Sequence, residues 1–108
     1  MCLPLFRFLM YELVLKQMRS AVNVGRVRFT SHALDELEED KLKVADALHC
    51  ILTGEIVEDQ YDMRYSQTKY VIFGDTLTGA ELGLITRWDN LSGVVVITLY
   101  RLRIDDYE

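Results

Sequence analysis

The sequence is poor in the residues that build metal sites and disulfide frameworks. It contains two cysteines and two histidines in 108 residues, and Cys2 and Cys50 lack the spacing of a disulfide framework. His49 and Cys50 are adjacent, so on a helix their side chains would point about 100° apart, while His32 has acidic neighbours but no evident third ligand. We therefore predict no metal site and no cofactor, with Cys50 as a buried, reduced thiol.

Common catalytic motifs and targeting signals are also missing. The chain has no CxxC pair, no glycine-rich phosphate loop and no nucleophile elbow. Residues 1–9 are apolar, but they include Arg7, lack a small-residue cleavage site and are too short to span a bilayer. We expect a cytoplasmic protein without a membrane anchor, in which residues 1–9 form an apolar extension that a partner covers, such as a second copy in a homodimer.

Charge is unevenly distributed along the chain. The formal net charge is −5, which by itself argues against a nucleic-acid partner. Ten acidic and two basic residues lie between Asp35 and Asp62, whereas five basic and three acidic residues lie between Met63 and Ile104. The C-terminal half is therefore mildly basic and offers a candidate polar surface, although charge runs also occur on plain solvated faces.

Helical periodicity occupies most of the N-terminal half. Apolar positions at helical spacing predict a first helix over Tyr11–Val22, with Gly25 as its stop. A second helix, from His32 to about Asp40, begins after a hydroxyl residue, Thr30 or Ser31, that caps free amides. A third helix runs from about residue 42 to residue 53, and Gly54 stands where a left-handed cap is expected.

The remaining segments alternate like strands. The predicted strands are Val27–Phe29, Glu55–Asp59, Thr68–Gly74, Leu82–Trp88 and Val94–Leu102, with a polar loop over Gln60–Gln67. The last strand is the richest in β-branched residues, so we predict that it is central. Two short connections imply an antiparallel meander. The chain is therefore expected to form one α+β domain, residues 1–108, with two or three helices packed on one face of a mainly antiparallel twisted sheet.

Four segments together resemble a known family. They read RVRFTSHALDELEED, ILTGEIVED, KYVIFGDT and VVVITLY. The most specific pieces are the helix start Ser31-His32-Ala33, the segment 54–59 and the strand 97–100. Over residues 11–100 the chain resembles the bacterial and archaeal family called domain of unknown function 4258. That family looks similar to the toxin superfamily of RelE and BrnT, small α+β messenger-RNA endonucleases of toxin–antitoxin modules.

The resemblance implies a function and partners. The protein would have a RelE/BrnT-like fold and would be a metal-independent endoribonuclease of a type II toxin–antitoxin module. Its substrate would be messenger RNA, free or on the ribosome. A cognate antitoxin would hold it inactive by covering the basic end of the sheet.

The residues offer candidates for that chemistry. Attack by the ribose 2′-hydroxyl requires a base, an acid and cations near the phosphate. His32 is a candidate for proton transfer because imidazole titrates near neutral pH, and Arg87 for stabilising the phosphate because guanidinium forks match its oxygens. The family position of Tyr100 implies proton transfer or base stacking. Further substrate-binding candidates are Lys69, Arg101 and Arg103. Arg87, Arg101 and Arg103 stand at the ends of two neighbouring predicted strands and together are a candidate phosphate clamp.

Strand alternation limits which candidates act together. It places Tyr100 on one face with Val96 and Thr98, and Arg101 on the other face, so only one set lines an open face of the sheet. Structural interpretations stand beside the functional ones. His32 fits a hydrogen-bonding residue at a helix start, and Tyr100 fits a core aromatic whose hydroxyl lies at the rim.

Two rival functions fit the same residues. A non-catalytic protein-interaction module of the same fold, a degenerate toxin or a partner-binding subunit, would use the apolar N-terminus and a sheet edge. A small-ligand enzyme would need a concave pocket that joins His32 and Tyr100.

Overall fold

Three helices and five strands follow one another along residues 3–102, the part of the chain that the computed structural model describes. The helices are α1 (Leu3–Asn23), α2 (Ser31–Glu39) and α3 (Val44–Thr53). The strands are β1 (Val27–Phe29), β2 (Glu55–Asp62), β3 (Gln67–Asp75), β4 (Glu81–Asp89) and β5 (Gly93–Arg101). The predicted α+β class is confirmed.

The helix boundaries agree with the sequence patterns except at the N-terminus. α1 begins at Leu3, well before Tyr11, so it takes in most of the predicted apolar extension. Beyond its end, Gly25 has a φ of 78°, which glycine adopts without a steric penalty. α2 is capped by Thr30, whose Oγ1 accepts a hydrogen bond of 3.1 Å from the Ala33 amide. None of the helices in residues 3–102 has the length and apolar character needed to cross a membrane.

The five strands form one mixed sheet in the order β1-β5-β4-β3-β2. β2 to β5 pair antiparallel in sequence, but β1 pairs with β5 in parallel, so the prediction of a mainly antiparallel sheet is wrong. Short connections reverse the chain between β2 and β5, whereas two helices and the whole meander separate β1 from β5, and such a long connection allows parallel alignment. The middle position belongs to β4, not to the Val94–Leu102 segment that was expected to be central.

β2 is longer than its local composition indicates. It continues to Asp62, where the sequence pattern predicts a polar loop, because residues 60–62 pair with residues 67–69 of β3. The connection between these two strands is therefore a tight turn over residues 63–66. Ser66 adopts a φ of 50° there. Pairing between strands outweighed the low β propensity of a polar segment.

A single apolar cluster joins all three helices to one face of the sheet. It includes Met18 of α1 and Ile51 of α3, both fully buried, and the sheet contributes Leu84 and Val96 among others. Residues that alternate with these core positions must point the other way. We call the side of the sheet that faces away from the helices the open face.

Gly54 does not form the predicted left-handed cap. Its φ is −88°, a value that any residue adopts. Glycine is needed there because α3 ends against β3, and a Cβ at Gly54 would collide with the carbonyl oxygen of Phe73 and lie 2.6 Å from that of Cys50. The requirement for glycine at this position is therefore close packing of backbones rather than backbone conformation.

Replacement Gly54→Ala is expected to lower the free energy of unfolding by about 1–3 kcal/mol, the usual cost of overpacking. Urea denaturation of the full chain measures this change. The matched control is Gly25→Asn, where the structure has open space around the site and asparagine tolerates the positive φ. Equal stability of the Gly54→Ala variant and the wild type would contradict the packing explanation.

Candidate functional site

Three cationic side chains lie in one row across the open face. Arg28 of β1 is paired with Val95 of β5, Val95 is paired with Arg87 of β4, and Arg87 is paired with Lys69 of β3. Residues in register on neighbouring strands share a face. We call Arg28, Arg87 and Lys69 the basic row.

The two arginines of the basic row have no anionic partner close by. Within residues 3–102, no carboxylate oxygen lies within 4.0 Å of the guanidinium of Arg28 or Arg87, whereas Lys69 Nζ is 3.5 Å from an Asp62 oxygen. The carboxyl of Asp89 lies close enough to Arg87 and Arg28 for their charges to act on it. Hydrogen bonds from Ser92 lower the pKa of the Asp89 carboxyl, and the charges of Arg87 and Arg28 lower it further.

Tyr100 lies on the open face at the far end from the basic row. Its ring covers Gly83 of β4, where an added Cβ would be 2.7 Å from the ring atom Cε2. Gly83 and Arg87 are four residues apart on one strand, so Tyr100 and the basic row are separated by about 13 Å. Burial raises the pKa of the Tyr100 phenol, and the negative charge of Glu58 raises it further. At neutral pH the phenol is therefore protonated, which suits a hydrogen-bond donor or a stacking surface and not a base.

A β-bulge in β5 decides which side chains join Tyr100. Thr86 pairs with Val96 but Ile85 pairs with Thr98, so the intervening Ile97 has no partner on β4. One extra residue in a strand shifts the alternation, so side chains on the N-terminal side of the bulge point to the opposite face from the one that regular alternation predicts. Val96 therefore faces the helices, and the expectation that it shares a face with Tyr100 is wrong. The alternation rule assumes a regular strand, and this strand is irregular.

Arg101 belongs to the helix-bearing side. It pairs with Leu82, which is fully buried under the helices, and its Nη1 lies 3.5 Å from the carbonyl oxygen of Asp40. Its Nε is buried and has no hydrogen-bond partner among residues 3–102. Arg101 faces away from Tyr100, as alternation predicts, but the expected clamp of Arg87 with Arg101 is wrong. Because β4 and β5 run antiparallel, the ends that carry these two arginines lie at opposite ends of the sheet, and the two side chains are on opposite faces. Arg103 lies outside the described residues.

His32 participates in a contact that completes the edge of β5. β1 ends at Phe29, so the outer edge of β5 beyond Val96 has no strand beside it. The Glu36 carboxylate occupies that place. Its Oε1 accepts hydrogen bonds of 2.8 Å from the Leu99 amide and 2.6 Å from the Thr98 hydroxyl, and its Oε2 lies 3.2 Å from His32 Nε2.

Thr30 continues the same pairing on the other side of the bulge. Its amide donates to the carbonyl of Val96 at 3.1 Å, and its hydroxyl donates to the carbonyl of Ile97 at 2.7 Å. We call Thr30 and Glu36 together the edge clamp. The imidazole of His32 is 68% exposed beside this clamp, so it is both a structural partner of Glu36 and accessible to a ligand.

The predicted catalytic residues do not converge on one point. Arg87 and Lys69 are neighbours, Tyr100 shares their face at a distance, and His32 lies at the β5 edge, linked to Thr98 through Glu36. No group of three or more potential ligands for a metal ion occurs in residues 3–102. Cys50 is buried and unpaired, and burial raises the pKa of its thiol to about 12, which makes it inert.

A family model matches most of the chain. The family model named domain of unknown function 4258 matches residues 29–101. The chain belongs to this family. The match runs from the end of β1 to the end of β5, so the domain of unknown function 4258 includes the edge clamp, Tyr100, Arg87 and Lys69 but leaves out α1 and Arg28. No curated protein and no solved structure matches the chain.

Two residues of the candidate site were not identified from the sequence. Arg28 alternates with apolar neighbours in a three-residue strand, which indicates an outward side chain, but only the parallel pairing with β5 brings it into line with Arg87. Glu36 is one of several acids on α2, and no sequence signal separates it from those that face water.

Removal of the Glu36 carboxylate is expected to destabilise the fold. In Glu36→Ala the buried Leu99 amide loses its acceptor, and an unsatisfied buried donor costs about 1–3 kcal/mol. Denaturant unfolding measures the loss, and hydrogen exchange of the Leu99 amide locates it. Glu39→Ala on the exposed side of α2 is the control. Equal effects of the two substitutions would show that the edge clamp has no special role.

Proposed function

We propose that the protein is a metal-independent endoribonuclease of the toxin class, which binds RNA on the open face of its sheet. The observation that carries this proposal is the basic row: three cations in register on the face without helices, in a chain whose net charge is −5. A cluster of cations on a protein whose net charge is negative favours an anionic ligand at that cluster. The likeness of the family to RelE and BrnT toxins supports the same proposal.

The dimensions of the row suit a polynucleotide backbone. Arg28 and Lys69 are three inter-strand spacings apart, which is about 14 Å. Arg28 and Arg87 present guanidinium forks that match the geometry of phosphate oxygens. A cation at either side of Arg87 would hold the phosphates that flank the one at Arg87.

In this proposal cleavage occurs at the phosphate held by Arg87. The ribose 2′-oxygen attacks the adjacent phosphorus, the bond to the 5′-oxygen breaks, and a 2′,3′-cyclic phosphate and a 5′-hydroxyl are formed. Arg87 and its neighbours stabilise the negative charge that develops on the phosphorus oxygens. His32, at the β5 edge beside Glu36, is the candidate base that takes the proton of the 2′-hydroxyl, and the leaving 5′-oxygen receives a proton from the resulting imidazolium or from water. Substrate binding would have to bring the reacting sugar toward His32.

Tyr100 is assigned a binding role. Its ring covers Gly83 and the residue is 38% exposed, so part of its surface is accessible to a base. Stacking of a base on an aromatic ring contributes about 1–3 kcal/mol. A single strand that crosses the basic row and continues along β4 would place a neighbouring base on Tyr100. An antitoxin that inhibits this protein would have to cover the basic row, so it should offer acidic side chains there.

Loss of Arg87 is expected to abolish cleavage. Expression of the wild type should arrest growth and fragment cellular RNA, and Arg87→Gln should lower the rate of RNA cleavage by about a hundredfold or more, as for other losses of transition-state charge stabilisation. Arg64→Gln removes the same charge from a side chain that is 84% exposed and outside the row, and it should retain wild-type activity. Intact RNA with soluble wild-type protein and no antitoxin present would overturn the proposal.

The salt dependence of binding tests the row separately from catalysis. Each phosphate contact in single-stranded RNA contributes about 0.7 to the slope of log K against log salt concentration. Arg28→Gln and Arg87→Gln are each expected to reduce the slope by about that amount, whereas Arg64→Gln leaves it unchanged. Fluorescence anisotropy with a labelled oligoribonucleotide measures the slope. Identical slopes for all four proteins would show that RNA does not bind at the row.

A non-catalytic partner-binding module is the second candidate, and the N-terminal half of α1 favours it. Large apolar side chains are exposed along this segment: Leu5, Phe6, Phe8, Leu9, Met10 and Leu13. An apolar surface of this kind usually serves contact with another protein. Stable association with a partner protein, combined with no effect on RNA or growth, would support the module over the nuclease.

A further inference from the structure

A cavity of about 300 Å³ lies between α1 and the sheet, on the side opposite the basic row. Its walls come from the first turns of the helix and from the helix-facing side of β2 and β3. The residues that matter for its chemistry are Phe6, Arg7, Met10, Tyr11, Asp59 and Tyr70. Neither the proposed nuclease chemistry nor the matched family segment accounts for the α1 wall of this cavity.

The polar groups of the cavity include opposite charges side by side. The Tyr11 hydroxyl donates a hydrogen bond of 2.5 Å to Asp59 Oδ1, and Arg7 Nη1 lies 3.6 Å from the same oxygen. No hydrogen bond or ion pair within residues 3–102 involves the other oxygen, Asp59 Oδ2. The Arg7 side chain is 67% exposed, so most of its donors also remain available.

The remaining walls are apolar and partly aromatic. Phe6 and Met10 are four residues apart on α1 and therefore lie on one side of the helix. They are 61% and 45% exposed. Tyr70 forms part of the sheet side, where burial raises the pKa of its phenol and the charge of Asp59 raises it further. An apolar ligand body would cover surface that water now contacts.

We propose that this cavity binds a small zwitterion that carries an ammonium and a carboxylate group on an apolar body, as a free apolar amino acid does. The ammonium would contact Asp59 Oδ2, the carboxylate would contact Arg7, and the apolar body would pack on Phe6, Met10 and Tyr70. A purely anionic ligand would be repelled by the Asp59 carboxylate, and a purely cationic ligand would be repelled by the Arg7 guanidinium. Only a ligand with both charges is complementary to the pair.

The size of the cavity agrees with this class of ligand. A volume of about 300 Å³ is at the lower end of the range for small-molecule sites, which suits an amino acid better than a nucleotide. Exposed ion pairs contribute little energy each, so we expect binding in the millimolar range and selectivity that depends on both charges together.

Titration of the full-length, isotope-labelled protein with L-phenylalanine, followed by amide NMR, tests the site. Amide signals of residues 7, 11, 59 and 70 should shift. L-phenylalaninamide lacks the carboxylate and N-acetyl-L-phenylalanine lacks the ammonium, and each should bind at least about threefold more weakly than L-phenylalanine. Equal affinity for the three compounds, or shifts located away from these residues, would overturn the proposal.

Two variants assign the contacts. Arg7→Gln should remove the preference for L-phenylalanine over its amide, and Asp59→Asn should remove the preference over the N-acetyl compound while keeping an acceptor for Tyr11. Arg64→Gln is the control for a general change of charge and should leave both preferences intact. Unchanged preferences in the first two variants would place the compound elsewhere on the surface. The result does not depend on RNA cleavage, so it stands or falls apart from the nuclease proposal.

Discussion

The edge clamp is the contact on which the organisation of this domain depends. β1 is only long enough to pair with the first part of β5, and the chain then leaves the sheet to begin α2. The Thr30 and Glu36 side chains supply hydrogen bonds where a longer strand would have done so. One cap residue and one helical carboxylate therefore attach α2 to the sheet and satisfy an edge that would otherwise be open to pairing with other chains.

The same part of β5 determines which side chains point to the open face and which point to the helices. Thr30 binds the carbonyls of Val96 and of the bulged residue Ile97, and Glu36 binds the groups that follow at Thr98 and Leu99. The bulge lets Val94 and Val96 face the core while Thr98 and Tyr100 face outward. Bulges often re-aim side chains close to functional surfaces, and here the result is an open face with Tyr100 at one end and the basic row at the other.

The two sides of the sheet present different chemistry. The open face combines cations with an aromatic ring, which suits an extended anionic polymer such as RNA. The helix-bearing side contains a small cavity in which a carboxylate, a guanidinium and apolar walls lie together, which suits a small molecule. Because the sheet separates them, a ligand in the cavity would act on the open face only through the strands between them.

The sequence alone determined the α+β class, the positions of α2 and α3, a hydroxyl cap at Thr30 or Ser31 and the burial of Cys50, because these depend on local periodicity and on residue chemistry. Only the tertiary structure decided the parallel pairing of β1, the bulge, and the roles of Arg28 and Glu36. The pairing of β1 and the roles of Arg28 and Glu36 depend on partners more than 60 residues away in the chain, such as Val95 for Arg28 and Leu99 for Glu36. The bulge depends on the register between β4 and β5, which local composition does not specify. Local patterns indicate that a side chain points away from the core, but they do not indicate which other side chains it contacts.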